Sequence, residues 1–250
     1  MSSGTPHRLT VMRTSSLDSS YVLVPGAGGR GWIWHLLVAE LERRGRRAVA
    51  LDLPGSDPAA GLTAYRDVIA DAVREQVRDG AAAVTLVALS LGGFSAPLAC
   101  EHAPVARLVL VNAMIPRPGE TAGDWWDNVG WPEAAQAAAD QDGRPKVDVN
   151  DPETLFYHDL PARLTEVMRA DPDADAWTES PAVFGDPWPL AAWPAVPTTV
   201  LAGREDRFFP FELQRRVAMT RLGAEVGELP GGHLLALSQP EALAERITAR

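Results

Sequence analysis

Two textures alternate along the chain: short unbroken apolar runs, and longer stretches whose apolar residues recur at helical spacing. Residues 21–25 (YVLVP) are the first run. A glycine cluster follows, then residues 32–45, which have helical spacing and stop at Arg43, Arg44 and Gly45. Residues 47–52 (RAVALD) predict a second strand, closed by Pro54 and Gly55. Residues 65–79 place Val68, Ile69, Ala72, Val73 and Val77 on one helix face. Strands are then expected over 85–89 and 107–112, with a helix over 91–102 between them. After a long interval come a strand over 198–203, a helix over 211–222, a short strand near 226–229 and a terminal helix from Pro240. Runs that lack a polar residue at every second position belong to strands covered on both faces. Right-handed strand–helix–strand connections then give an open, mostly parallel sheet with helices on each side. Residues 9–13 predict an added antiparallel edge strand.

Residues 114–193 break this rhythm. They hold Trp125, Trp126, Trp131, Trp177, Trp188 and Trp193, six of the chain's 8 tryptophans, with helical pieces near 132–141, 152–157 and 162–169. An insertion of this length between two strands of one sheet is no simple connection. Its position predicts a helical cap over the strand C-termini, where ligands bind in such sheets. A second helical layer with structural tryptophans is the plainer alternative. The domain division expected is a core of residues 1–113 and 196–250 carrying a cap of residues 114–195.

Composition narrows the partners. A chain of 250 residues with 46% apolar and 22% charged residues fits one globular domain with a substantial core. The formal charge of −10 opposes binding to phosphate backbones and anionic lipid, so neither nucleic acid nor a membrane is an expected partner. The longest apolar stretch, residues 84–100, is interrupted by Ser90, Gly92, Gly93, Ser95 and Pro97, too polar to span a bilayer. Cys100 is the single cysteine, so no internal disulfide forms, and residues 1–10 lack the apolar core of a signal peptide. A cytoplasmic location is expected.

The chemistry centres on residues 85–93 (TLVALSLGG). A strand runs directly into a helix, and Ser90 is the one nucleophilic side chain between them. So sharp a turn projects the hydroxyl and exposes the amide of Leu91, with the small residues Ala88 and Gly92 giving the two elements room. A helix-capping serine is the competing interpretation. Serine needs a base, and the chain has His7, His35, His102, His158 and His233. His233 sits in a glycine-flanked loop between the last strand and the last helix and is the favoured base. His158 belongs to the insertion. Asp206 follows the 198–203 strand at the same sheet edge and is the favoured orienting acid; Glu205 and Asp52 are the alternatives, as a solvated charge and a turn residue. The order Ser90, Asp206, His233 matches one hydrolase fold and neither common serine-protease order. Residues 25–29 (PGAGG) supply a second amide donor, Ala27. This run lacks the Lys-Ser/Thr ending of a phosphate loop and the spacing of a dinucleotide fingerprint, and no Cys, His or carboxylate cluster has metal-ligand spacing. No cofactor and no metal are expected.

These segments together resemble the α/β-hydrolases, and among them the small cofactor-free esterases near the plant methylesterase and hydroxynitrile lyase group. The resemblance runs through the turn at 25–29, the helix start at 32–34, the ALDLPG turn, Ser90, the insertion, Asp206 and His233. It implies an eight-stranded sheet with the cap inserted after the sixth strand. It also implies Ser90 as nucleophile, His233 as base, Asp206 as orienting acid, and Ala27 and Leu91 as oxyanion donors. Two segments depart from the family pattern. Pro25-Gly26 stands where His-Gly is usual, and Ala88 and Leu89 replace the usual Gly and frequent His before the serine.

The expected activity is hydrolysis of a small carboxylic ester with an apolar or aromatic part, held near Trp126, Phe156, Tyr157 and His158. A non-hydrolytic lyase or carbon–carbon cleaving enzyme is the first alternative, for which His158 or Arg163 would supply a polar group. A low-turnover ligand receptor on the same scaffold is the second; the survival of all three triad residue types weighs against it.

Overall fold

The computed structural model describes residues 19–145, 147–170 and 179–249. Strands β1 (Ser19–Val24), β2 (Arg47–Ala50), β3 (Ala83–Leu89), β4 (Arg107–Val111), β5 (Thr198–Gly203) and β6 (Val226–Leu229) form one sheet. Their order is β2-β1-β3-β4-β5-β6, and every pairing is parallel. The order reverses at β1, so β1 and β3 lie side by side at the switch point where such sheets open a crevice.

Residue alternation along each strand divides the core into two layers. Val22, Val24, Leu86, Ala88, Leu108 and Leu110 face helices α2 (Leu62–Arg78), α3 (Gly92–Ala99) and α8 (Phe211–Leu222). Tyr21, Leu23, Val87, Leu89, Val109 and Val111 face α1 (His35–Arg43), α9 (Leu235–Ser238) and α10 (Pro240–Thr248). Both sides are dry, which is why the central strands read as unbroken apolar runs.

The sheet of the described residues has six strands, not eight. Only six runs between residues 19 and 249 have strand composition; the edge strand expected at 9–13 lies outside the described residues, as do Trp177 and His7. The insertion accordingly follows the fourth of these strands rather than the sixth.

Between β4 and β5 come α4 (Ala122–Asn128), α5 (Trp131–Gln141), a π-helical turn (Glu153–Tyr157), α6 (Ala162–Arg169) and α7 (Pro181–Gly185). Thr121 caps α4 by accepting the Asp124 N–H at 2.9 Å, and Ser180 caps α7 by accepting that of Ala182 at 3.2 Å. The tryptophans of this region act as struts. Trp125, Trp131, Trp188 and Trp193 each bury an indole and donate its N–H to a backbone carbonyl, of Ile115, Phe208, Phe94 and Pro116 respectively. Glu120 and Arg221 form a buried ion pair that joins the insertion to α8.

Candidate active site

Strand β3 ends at Leu89 and α3 begins at Gly92, leaving two residues to turn the chain. Ser90 therefore takes φ 50°, in the left-handed region that costs an L-residue about 1–3 kcal/mol. The strain is held by neighbours. The Ser90 N–H donates to the Val111 carbonyl at 3.3 Å, and its own carbonyl accepts from Gly93 and Met114 at 3.0 and 2.9 Å. A methyl group at Gly26 would come within 2.9 Å of the Ser90 Cβ, and one at Gly92 within 2.7 Å of the Pro25 carbonyl oxygen. These two glycines let the 25–29 turn lie directly against the serine. Among the described residues, the backbone N–H groups of Ala27 and Leu91 donate no hydrogen bond. Two unoccupied donors beside a strained serine are what a developing oxyanion requires.

His233 and Asp206 meet from two further strand ends. Nδ1 of His233 lies 2.9 Å from Oδ2 of Asp206, with both residues almost fully buried (2% and 4% exposed). A carboxylate oxygen accepts, so Nδ1 is the donor of this bond. Asp206 is heavily satisfied: Oδ1 accepts from Phe208 and Phe209 at 2.9 and 2.8 Å, and Oδ2 lies 3.2 Å from Nε2 of Gln214. The imidazole is enclosed by Phe156, Phe208 and Phe209, whose ring centres stand 5.4, 5.1 and 5.1 Å away.

Serine and histidine are tied to adjacent residues at the end of β4. Val111 accepts the Ser90 N–H, and Asn112 donates to the backbone carbonyl of His233. No hydrogen bond between the Ser90 hydroxyl and His233 occurs among the described residues, a looseness common in ligand-free sites.

The sequence profile of the alpha/beta hydrolase family matches residues 21–246. The chain belongs to that family. It is 30% identical over 251 residues to a pyrethroid hydrolase of Sphingobium wenxiniae, a match covering 90% of this chain and 85% of that one. Probable esterase PIR7A of Oryza sativa subsp. indica is 38% identical over 112 residues, but the match spans only 41% of this chain and 42% of that protein. The crystal structure of polyneuridine aldehyde esterase superposes with a TM-score of 0.71 over 92% of this chain and 98% of that one; at 22% identity it bears on the fold.

Within this hydrolase fold the remaining expected residues take distinct places. Phe156 reaches the base. Trp126 stands one layer behind, packed edge-on or tilted among Trp125, Trp131, Phe208 and Phe209. Tyr157 is half-buried against the α1 layer, and burial raises its phenol pKa. His158 lies behind the His233 loop, where its Nε2 would stand 2.8 Å from a methyl at Gly232; it lines an open cleft with Arg144, Asp159 and Arg207. Ser90 does not line that cleft. Burial and then the Arg207 charge push the His158 pKa down. Arg163 is exposed on α6.

Of the two alternative carboxylates, Asp52 accepts the Gly31 N–H at 2.8 Å, in keeping with a turn residue. Glu205 is exposed, as a solvated charge would be, and its carboxylate also accepts the N–H of Gly231, two residues before His233.

Sequence reasoning passed over Asn112 and Gln214. Asn112 is fully buried at φ 44°; its Oδ1 accepts from Gly203 at 2.8 Å and its Nδ2 donates to the carbonyls of Gly232 and His233 at 3.0 and 2.8 Å. A signal existed. An asparagine closing an apolar strand is the residue type best suited to a left-handed turn with side-chain hydrogen bonds. Among the described residues, no group of three or more His, Cys, Asp or Glu could hold a metal ion, and no helix is long and apolar enough to cross a membrane.

Proposed function

We propose that this chain is a serine hydrolase that cleaves a carboxylic ester of a small apolar or aromatic substrate through an acyl-enzyme. The observation that carries the reading is the pairing of the buried Asp206–His233 hydrogen bond with a strained Ser90 flanked by two unpartnered amides. The names of the pyrethroid hydrolase and the rice esterase support the same bond type.

In this reading Nε2 of His233 takes the Ser90 proton as Oγ attacks the acyl carbon. The carbonyl oxygen becomes an oxyanion and receives the N–H groups of Ala27 and Leu91. Collapse breaks the ester C–O bond, and the imidazolium returns its proton to the departing alcohol. Water, deprotonated by His233, then attacks the acyl-serine and releases the acid. Asp206 keeps Nδ1 protonated and stabilises the imidazolium throughout.

Residues 1–113 and 196–250 form the catalytic core, and residues 114–195 form the cap. Phe156 brings an apolar wall to the base. Reaction of the protein with a fluorophosphonate probe, followed by intact-mass measurement, tests the assignment. One adduct is expected on the native chain and none on Ser90→Ala. Equal labelling of both would remove Ser90 from the role.

A further inference from the structure

A carboxylate with no part in the triad touches the turn that carries Ala27. Glu179, just before α7 in the insertion, accepts the Gly28 N–H on Oε2 at 3.0 Å. Its Oε1 accepts the hydroxyl of Tyr65, from α2, and the N–H of Ser180 at 2.9 Å. The two backbone N–H groups can only donate and the Tyr65 hydroxyl donates here, so the arrangement suits an ionised carboxylate. Burial nonetheless raises the pKa of this group above the ordinary glutamate value, opposed by those same hydrogen bonds. A charge held against its desolvation cost asks for a reason other than stability.

The backbone of the turn supplies that reason. Ala27 N–H lies in the same peptide plane as the Gly26 carbonyl, which accepts from Gly29 at 3.1 Å. Gly29 is anchored on its other side by the Leu53 N–H at 2.7 Å, and Gly31 by Asp52. The remaining peptide, between Ala27 and Gly28, is flanked by a residue at φ 87°, where glycine rotates most freely. Glu179 is what fixes it, and Pro25 brings no side-chain donor or acceptor to help. Asp186, the next carboxylate after Glu179 along the chain, is occupied by the Leu62 N–H at 2.8 Å.

We propose that Glu179 is a positioning residue: from the insertion, its carboxylate locks the Ala27–Gly28 peptide and thereby aims the Ala27 N–H at the reacting oxygen beside Ser90. The inference rests on Ala27 being an oxyanion donor, as assigned above. It makes one element of the insertion a condition for catalysis rather than a cover over it.

Glu179→Gln, made in the full chain, tests this. The amide places its own N–H groups against Gly28 or Tyr65, as a protonated carboxyl would. The expected result is a fall in kcat of roughly 10- to 100-fold, short of removing an oxyanion donor outright, with KM little changed. The acid limb of native kcat should carry a component from Glu179, whose pKa burial raises, and Glu179→Gln should lack that component. Its thermal midpoint at pH 8 should equal or exceed the native one, since the desolvated charge is gone, whereas a merely structural glutamate would lower it. Tyr65→Phe is the second variant. It removes one donor from the carboxylate and should move the acidic limb to higher pH while preserving most of kcat. Native kcat and an unaltered acid limb in Glu179→Gln, with Ser90 still labelled by fluorophosphonate, would overturn the positioning role alone. Absence of labelling on the native chain would overturn the parent assignment, and this one with it.

Discussion

Asn112 and His233 stand 121 residues apart in sequence, yet the amide of one donates to the backbone carbonyl of the other at 2.8 Å. The same side chain receives Gly203 at the end of β5 and holds the carbonyl of Gly232. The ends of β4 and β5 and the histidine loop are thus joined through one fully buried residue. Because Val111 next to it holds Ser90, the serine–histidine separation is set largely at this single point of the backbone.

Replacing Asn112 by Ala strands one N–H and two carbonyls in a dry interior, at about 1–3 kcal/mol for each group left unpaired. Asn112→Ala should lower the denaturant midpoint clearly and cut kcat by about tenfold or more. Asn112→Gly loses the same hydrogen bonds but relaxes the backbone at φ 44°. It should therefore be more stable than Asn112→Ala by up to about 1 kcal/mol, an ordering that equilibrium urea unfolding reads directly. A more stable alanine variant would show that the left-handed turn is not strained.

The Glu120–Arg221 pair is a different kind of joint. Its side chains are 4% and 2% exposed, and Arg221 also donates to the Ile115 carbonyl at 2.5 Å. Removing one partner of such a pair leaves a buried charge, at a cost of about 3–5 kcal/mol. Arg221→Met should depress the melting temperature strongly while leaving kcat at 25 °C near native, because neither residue contacts the triad. Loss of kcat at a temperature where circular dichroism shows the fold intact would argue that this joint transmits to the site.

His158 adds a pH dependence to stability. Burial is the main cause of its lowered pKa, with Arg207 and Arg144 acting in the same direction and Asp159 and Asp206 against it. The unfolded chain thus binds a proton at this position more readily than the folded one. Stability is fully present above the unfolded histidine value of about 6.5 and is lost as pH falls below it. Urea unfolding at pH 7.5 and pH 5 should show a drop in the native chain that is smaller in His158→Gln. An equal drop in both would assign the acid sensitivity to other groups.

Much of this was legible in the sequence for a simple reason. The parallel strands are covered on both faces, so β1, β3, β4 and β5 appear as unbroken apolar runs, and the candidate residues stand just past strand ends: Ser90 after β3, Asp206 after β5, and His233 after the more polar β6. Strand count was less accessible, since the eight strands came from family likeness while residues 19–249 contain six. The tryptophans of the insertion were harder still. Composition marks them as apolar mass, but whether a ring lines a pocket or donates its N–H to a carbonyl, as Trp188 does to Phe94, depends on tertiary position. The carboxylates that brace the turns, Glu205, Glu179 and Asp159, look like ordinary surface charges until the backbone amides they accept are in place.

Asp159 gives the sharpest test of how the base is held. Its Oδ2 accepts the N–H of Gly232 at 2.6 Å, while Asn112 donates to the carbonyl of that same residue at 3.0 Å. Gly232 is thus gripped from the insertion on one side and from the core on the other, immediately before His233. Both grips are needed to hold the loop, so Asp159→Ala should lower kcat severalfold with KM little altered. Once one grip is lost, the loop is free to move and the second loss matters less. The double variant Asp159→Ala/Asn112→Ala should therefore lose less activity than the product of the single effects, with a coupling of about 0.5–3 kcal/mol. Strict additivity in kcat would mean that the two side chains act on separate features, and that the insertion has no share in placing the histidine.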